Sequence, residues 1–144
     1  MCATPEKEGS RGIPEAEDGS TEVLVVDDER EIASLVAQYL HRLDGDLTVH
    51  VEVDPADALD ALEREPVDCV VSDYDMPRMD GLSLLGAVRE RKGGIPFVLF
   101  TGAGDEQVAS RARQRDARYV RKRGTDGFDR LLSSVAEALD GVEN

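Results

Sequence analysis

The sequence lacks tryptophan and has only three tyrosines, three phenylalanines, two histidines and two cysteines among its 144 residues. Cys2 lies in a polar stretch and Cys69 lies inside an apolar run, so the pair does not indicate a disulfide framework. The cysteines and histidines also lack the spacing of zinc ligands. Apolar runs are no longer than a β-strand, far short of the ~20 residues that span a bilayer. We therefore expect a soluble protein of a reducing cytoplasm, with no membrane contact and no zinc.

Lysine is scarce as well, with three lysines among 17 basic residues, whereas aspartate supplies 17 of the 31 acids. The net charge of −14 argues against nonspecific binding to nucleic acid or to anionic lipid. An acid-rich, lysine-poor composition is typical of proteins from salt-loving microbes, such as halophilic archaea, because a salty cytoplasm screens the repulsion. This hypothesis concerns origin and not function, and a melting series over molar KCl tests it.

The chain is long enough for one domain. Residues 1–20 are rich in glycine, proline, serine and glutamate and have few bulky apolar side chains, so we predict a disordered N-terminal tail. The folded domain is predicted over residues 21–141, followed by a short C-terminal tail over residues 142–144.

From residue 21 onward, strand-like apolar runs alternate with segments of helical periodicity. Apolar residues at offsets of 0, 3, 4, 7 and 11 begin at Ile32 and again at Phe128, and this spacing marks one face of a helix. The segment 47–53 alternates polar and apolar residues and is predicted to be an edge strand. Five strands alternating with five helices predict an α/β fold with a parallel sheet covered on both faces.

Polar side chains follow four of the five predicted strands: Asp27 and Asp28, Asp73, Thr101 and Lys122. Because the carboxyl ends of parallel strands meet at one edge of a sheet, we expect these side chains to converge. Three neighbouring carboxylates would repel and raise one another's pKa, and a bound Mg²⁺ would relieve that repulsion.

Each of these residues also has an interpretation without such chemistry. One acid of the Asp27–Asp28 pair could simply cap the next helix. Lys122 lies between two arginines and could belong to a solvated basic surface. Asp73 could be a loop cap, although Asp80 is better placed for that role. Asp54, before a proline, is interpreted as a helix cap.

Asp73 is also suited to act as a nucleophile toward phosphorus, because a carboxylate can form an aspartyl phosphate. The transferred group then needs positive charge and hydrogen-bond donors around its oxygens, which Mg²⁺, Lys122 and the Thr101 hydroxyl would supply.

Taken in order, the motifs VLVVDDE, VVSDYDMPRMDG, FTGAG and YVRKR resemble the receiver domain of two-component response regulators, over Thr21 to about Gly141. The resemblance implies a flavodoxin-like receiver fold with strand order 2-1-3-4-5. It also implies that Asp73 is the phosphoacceptor and that Thr101 and Lys122 contact the phosphoryl group. Tyr119 would swing inward when Thr101 moves, and so change the surface of helix four, strand five and helix five.

By the same resemblance, four residues would hold Mg²⁺. Asp28 would bind it directly, Asp27 mainly through water and Asp75 through its backbone carbonyl, and Asp73 is the fourth residue of the set. The domain would be no enzyme beyond its own phosphotransfer and autodephosphorylation.

The resemblance implies two partners, a sensor histidine kinase as phosphoryl donor and an unidentified downstream effector protein. Nucleic acid is not expected as a partner, and the helix 4/strand 5/helix 5 face could also support a homodimer. His41 and His50 look like ordinary surface positions and not like phosphoryl donors. With no output domain in view, we expect a stand-alone regulator.

The sequence departs from the family pattern at two positions. Arg123 replaces the proline that usually follows the lysine after a cis peptide bond, and a cis bond before a non-proline residue costs ~2.5–4 kcal/mol. We therefore expect the loop after strand five to differ in shape. Asp75 adds a carboxylate at the entrance to the site, and we predict that it alters the lifetime of the phosphoryl group.

Two other functions are compatible with these residues. Asp73-x-Asp75 after a strand resembles the motif of aspartate-based phosphatases and phosphotransferases, although there it normally follows the first strand. A binding module of the same fold that is not phosphorylated is the second alternative. The complete set of acidic, hydroxyl and lysine side chains argues against such a degenerate site.

Overall fold

The computed structural model describes residues 21–102, 105–124 and 126–142. In these segments five parallel strands form one sheet in the order β2-β1-β3-β4-β5. The strands are β1 (Glu22–Val26), β2 (Thr48–Glu52), β3 (Cys69–Ser72), β4 (Phe97–Thr101) and β5 (Arg118–Arg121). The helices are α1 (Arg30–Leu43), α2 (Pro55–Arg64), α3 (Gly81–Arg91), α4 (Glu106–Gln114) and α5 (Gly127–Val142). The predicted fold class, strand order and edge position of β2 are confirmed.

Alternate side chains of each central strand enter two separate apolar layers, because successive residues of a strand point to opposite faces. In β1, Leu24 and Val26 pack with helices α2, α3 and α4, whereas Val23 and Val25 pack with α1 and α5. Both faces of the sheet are therefore covered, and this explains why β1, β3 and β4 are apolar almost throughout.

Aspartate side chains fix the start of three helices. The Asp54 carboxylate accepts a hydrogen bond from the Ala56 N–H at the start of α2. Asp80 and Asp105 do the same for α3 and α4. The interpretation of Asp54 as a helix cap is confirmed, and each such cap contributes about 1 kcal/mol.

In the described residues, the first element is β1, which begins at Glu22, and the last is α5. Helix α5 continues through Val142, one residue into the segment that we assigned to a tail, because its apolar periodicity persists to Leu139 and no proline follows. The predicted N-terminal tail, residues 1–20, and residues 143–144 lie outside the described residues. Among the described helices, none combines the length and the apolar character that crossing a membrane requires.

Candidate functional site

The loops at the carboxyl ends of the strands bring together the acids and the lysine that the sequence singled out. Asp27 and Asp28 follow β1, Asp73 follows β3, and Lys122 follows β5. Carboxylate oxygens of the three aspartates lie within 4.8 Å of one another. The expected convergence on one rim of the sheet is therefore observed.

Lys122 supplies the positive charge of this cluster. Its Nζ lies 3.2 Å from Asp27 Oδ2 and 3.8 Å from Asp73 Oδ1. Asp27 Oδ1 accepts a hydrogen bond from the Glu29 N–H, and Asp73 Oδ1 accepts one from the Tyr74 N–H. Each of these two carboxylates is thus held by the backbone and by the lysine.

Asp27 is almost fully buried, and burial raises its pKa because desolvation disfavours the charged form. The Glu29 N–H and the Lys122 ammonium lower this pKa again, and the nearby Asp73 carboxylate raises it. The direction that we predicted is right for Asp27, but burial is a larger cause than the repulsion between carboxylates.

Lys122 reaches the acids although arginine follows it. No cis peptide bond occurs in the described parts of the chain, so the Lys122–Arg123 bond is trans. The Lys122 N–H donates to the Thr101 carbonyl, which extends the pairing of β5 with β4. The lysine side chain also passes over the Phe100 ring, with Nζ 5.4 Å from the ring centre.

Gly81 allows the loop that carries Asp73 to fold back closely on itself. Its N–H donates to the Tyr74 carbonyl, and a Cβ at this position would lie 2.5 Å from the Asp73 carbonyl oxygen and 2.6 Å from Leu99 Cδ1. In the sequence, Gly81 directly follows Asp80, the cap of α3. Its close approach to Asp73 has no signal in local sequence, because the contact depends on how the loop turns.

Two other predicted residues lie around the rim at different depths. Thr101 is the last residue of β4 and is buried, whereas Asp75 is exposed in the loop after β3. The structure does not bring the Asp75 side chain into the carboxylate cluster.

Tyr119 points its hydroxyl into the protein. The ring packs against the apolar layer of α2, α3 and α4, and the hydroxyl has no hydrogen-bond partner among the described residues. Burial raises the pKa of Tyr119. Beside it lies a surface pocket of about 330 Å³, lined by Tyr119, Val120, Arg121, Arg123 and Arg130.

The donor atoms of the acidic cluster fit Mg²⁺, because the ion prefers oxygen ligands and is usually held by one or two carboxylates together with water. Asp27, Asp28 and Asp73 are the residues that could hold it. The buried position of Asp27 also gives a reason for a cation, since burial penalises its charge.

Residues 23–135 match the sequence profile of a protein family, the response regulator receiver domain. The chain belongs to this family. The matched segment contains the sheet except for Glu22, the first residue of β1, and it includes the rim residues from Asp27 to Lys122, so the receiver fold and the cluster described above coincide.

Relatives of this receiver have varied functions. It is 36% identical over 124 residues to the C4-dicarboxylate transport transcriptional regulatory protein DctD of Pseudomonas aeruginosa, covering 85% of this chain and 26% of that protein. It is 32% identical over 100 residues to the probable chemotaxis protein CheY of Rhizobium etli, covering 68% of this chain and 77% of that protein. The chain spans about a quarter to a third of the length of the first curated relatives it matches.

Among solved structures, the receiver is similar to the receiver domain of NtrX from Brucella abortus. The TM-score is 0.73 at 30% identity, with 82% of this chain and 98% of that chain covered. Receiver domains of this family act in two-component signalling, and the catalytic activities of some relatives belong to proteins that extend well beyond the matched segment.

Proposed function

We propose that this receiver accepts a phosphoryl group on Asp73 from a phosphohistidine of a sensor kinase. The observation that carries the proposal is the position of the Asp73 carboxylate, between the Lys122 ammonium at 3.8 Å and two further aspartates. Oδ1 of Asp73 already accepts the Tyr74 N–H, while Oδ2 has no hydrogen-bond donor among the described residues. Oδ2 is therefore our choice for the attacking oxygen.

In the proposed step an Asp73 oxygen attacks phosphorus, and the bond between phosphorus and the histidine nitrogen of the donor breaks. The donor imidazole leaves with the electron pair and takes up a proton. Lys122 neutralises charge on a phosphoryl oxygen, and the Thr101 hydroxyl donates to another. Because Lys122 is paired with Asp27 before transfer, it is already held at the site and loses little freedom when the phosphoryl group arrives.

Asp27, Asp28 and Asp73 would hold Mg²⁺, with the Asp75 backbone carbonyl as a further ligand. The ion would supply positive charge to the phosphoryl oxygens. The chain's own contribution is to gather the carboxylates on rigid strand ends and to hold Asp73 by the backbone contact from Tyr74.

The proposal includes a response on the surface formed by α4, β5 and α5. A phosphoryl group that draws Thr101 toward it would act on β5, because the Thr101 carbonyl accepts the Lys122 N–H. Tyr119 lies in β5, three residues before Lys122, and would couple this movement to the pocket beside its ring. This face is where we place the effector protein, or a second copy of the chain.

Charge favours an acidic segment of the effector at this pocket. Three arginines line it in a chain whose net charge is −14. Arg121 and Arg123 have no salt-bridge partner among the described residues, whereas Arg130 is paired with Asp126. Unpaired guanidinium groups bind carboxylates well, because their N–H groups can donate in pairs.

The test is stoichiometric labelling with acetyl phosphate or phosphoramidate and Mg²⁺, followed by intact mass. We expect one phosphoryl group per chain in the wild type and in Asp75→Asn, and none in Asp73→Asn. Repeated turnover of a generic phosphate ester would favour the phosphatase alternative. No labelling and no response to beryllofluoride with Mg²⁺ would favour the binding module.

A further inference from the structure

A second cluster of possible metal ligands lies at the opposite end of the sheet from Asp73. It consists of Glu22 at the start of β1, His50 in the middle of β2 and Glu65 just after α2. One ligand atom from each residue lies within 4.8 Å of the other two. The group joins three elements that are far apart in sequence.

Two of the three side chains are already in direct contact. His50 Nε2 lies 2.8 Å from Glu22 Oε1, and the two side chains are only 23% and 18% exposed. His50 is therefore not the ordinary surface position that the sequence suggested. In β2, His50 pairs in register with Leu24 of β1, so its side chain lies on the same face of the sheet as Leu24 and as Glu22, two residues before Leu24.

The backbone around the cluster is fixed by hydrogen bonds. The Glu22 N–H donates to the Asp68 carboxylate, and the Glu22 carbonyl accepts the Asp68 N–H. The Glu65 N–H donates to Ala61 at the end of α2, and its carbonyl accepts the Val67 N–H. The ligands thus stand on rigid elements, which is the arrangement that metal sites require.

The cluster lies in a region of negative charge. No lysine or arginine forms a salt bridge with Glu22 or Glu65 within the described segments, and Asp68 adds a third carboxylate nearby. Two half-buried carboxylates beside Asp68 concentrate negative charge that water screens only in part.

We propose that Glu22, His50 and Glu65 bind a divalent transition-metal ion, with Zn²⁺ as the ion that fits best. One imidazole nitrogen, two carboxylate oxygens and a water molecule make a four-coordinate site of the kind that zinc occupies. Imidazole selects such ions over Mg²⁺, which prefers oxygen ligands alone. The ion would tie β1, β2 and the end of α2 together. The sequence argued against zinc because its cysteines and histidines lack the spacing of zinc ligands. Spacing along the chain cannot reveal a ligand set whose members come from three separate elements.

The site is independent of the phosphorylation proposed above. Glu22 is the first residue of β1 and Asp27 follows its last, so Asp27 lies five positions after Glu22, about 16 Å along a strand. A test can therefore contradict zinc binding without contradicting phosphoryl transfer, and the reverse is also true.

The experiment uses the two histidines as reporters. The full-length chain is titrated with ZnCl₂ in excess Mg²⁺, which occupies the acidic rim, and the imidazole resonances of His50 and His41 are followed by NMR. We expect zinc to shift the His50 signals in a saturable way and to leave exposed His41 unchanged. Calorimetry on His50→Gln should show zinc affinity lower by about tenfold or more, and His41→Gln should bind like the wild type.

A second variant keeps the reporter in place. Glu65→Gln should weaken zinc binding while the His50 signals remain visible, and Glu63→Gln, two residues away on the exposed face of α2, should not. The proposal is overturned if the His50 signals respond to pH but not to zinc, since the cluster is then an ion pair only. Equal shifts of His41 and His50, or equal affinity in Glu65→Gln and Glu63→Gln, would also overturn it.

Discussion

The ammonium group of Lys122 lies 5.4 Å from the centre of the Phe100 ring. Phe100 contacts Phe128 edge-on, with ring centres 5.2 Å apart, and Phe128 stacks on Tyr39 at 4.5 Å. Three of the six aromatic residues of the chain therefore form a continuous line from the rim lysine to helix α1. The ring beneath Lys122 supports its position beside Asp27.

We expect Phe100→Leu to slow phosphorylation as well as to destabilise the fold. Loss of the ring removes the contact with the ammonium group and loosens the packing under it, at a cost of about 1.5 kcal/mol in the free energy of unfolding. Phe97→Leu is the matched control, because Phe97 is equally buried in the same strand but packs in the other apolar layer. Urea unfolding and initial labelling rates measure both effects. Equal labelling rates in the two variants would contradict a supporting role for Phe100.

Asp27→Asn should stabilise the protein at neutral pH when Mg²⁺ is absent. Because burial raises the pKa of Asp27, the unfolded chain ionises this carboxyl at lower pH than the folded chain does. The contribution of Asp27 to stability is thus full below its unfolded pKa and is lost as pH rises through its folded pKa.

The asparagine variant has no such loss, so we expect a gain of about 1 kcal/mol at pH 7, a size common for mutations that relieve strain at functional sites. Thermal melts from acid to neutral pH measure the difference, and exposed Asp46→Asn is the control. The gain should shrink when Mg²⁺ is added, because the ion stabilises only the wild-type carboxylate cluster. A variant less stable than wild type at every pH would show that the Lys122 pair outweighs the burial of charge.

Gly81→Ala should damage both stability and phosphorylation. The new methyl group would overlap the Asp73 carbonyl oxygen and the Leu99 side chain, so the loop that carries the acceptor must move. We expect a loss of about 1–3 kcal/mol in unfolding free energy and a labelling rate lower by at least about tenfold. Gly94→Ala is the control, since no atom lies within 4 Å of a Cβ there. Normal labelling of Gly81→Ala would mean that the loop tolerates the shift.

Asp75→Asn should lengthen the lifetime of the phosphoryl group by roughly three- to tenfold. Asp75 is exposed two residues past Asp73, and under the proposed function its carboxylate would accept a proton from the attacking water. Loss of label after removal of the donor gives the rate, with exposed Asp60→Asn as control. An unchanged rate of dephosphorylation in Asp75→Asn would show that Asp75 does not affect the lifetime of the phosphoryl group.

Local patterns in the sequence were sufficient for the elements of the fold. The aspartate before Pro55 and the aspartate before Gly81 predict helix starts because capping depends on neighbours in sequence. The run in β3 predicts a buried strand for a similar reason. The rim could also be predicted, since the parallel topology places every strand end on one side. The roles of Asp73, Thr101 and Tyr119 in phosphoryl transfer and switching stay predictions.

Features that depend on tertiary contacts were not predictable. The lack of proline after Lys122 predicted a loop of different shape, but the contacts of this lysine with Asp27 and Thr101 are set by the pairing of β5 with β4. The cluster around His50 was missed because its members lie on three elements. Such contacts have no periodicity in the sequence and follow only from the register of the sheet.

The ion pair of Asp27 and Lys122 joins residues 95 positions apart in the chain. Closing so long a loop requires nearly the whole sheet, so the rim cannot be complete until its last strand has docked. A nascent or damaged chain without β5 would contain Asp73 but not the positive charge beside it. Under the proposed function, such a chain would not accept a phosphoryl group from a kinase, and phosphorylation would then mark only molecules that have finished folding.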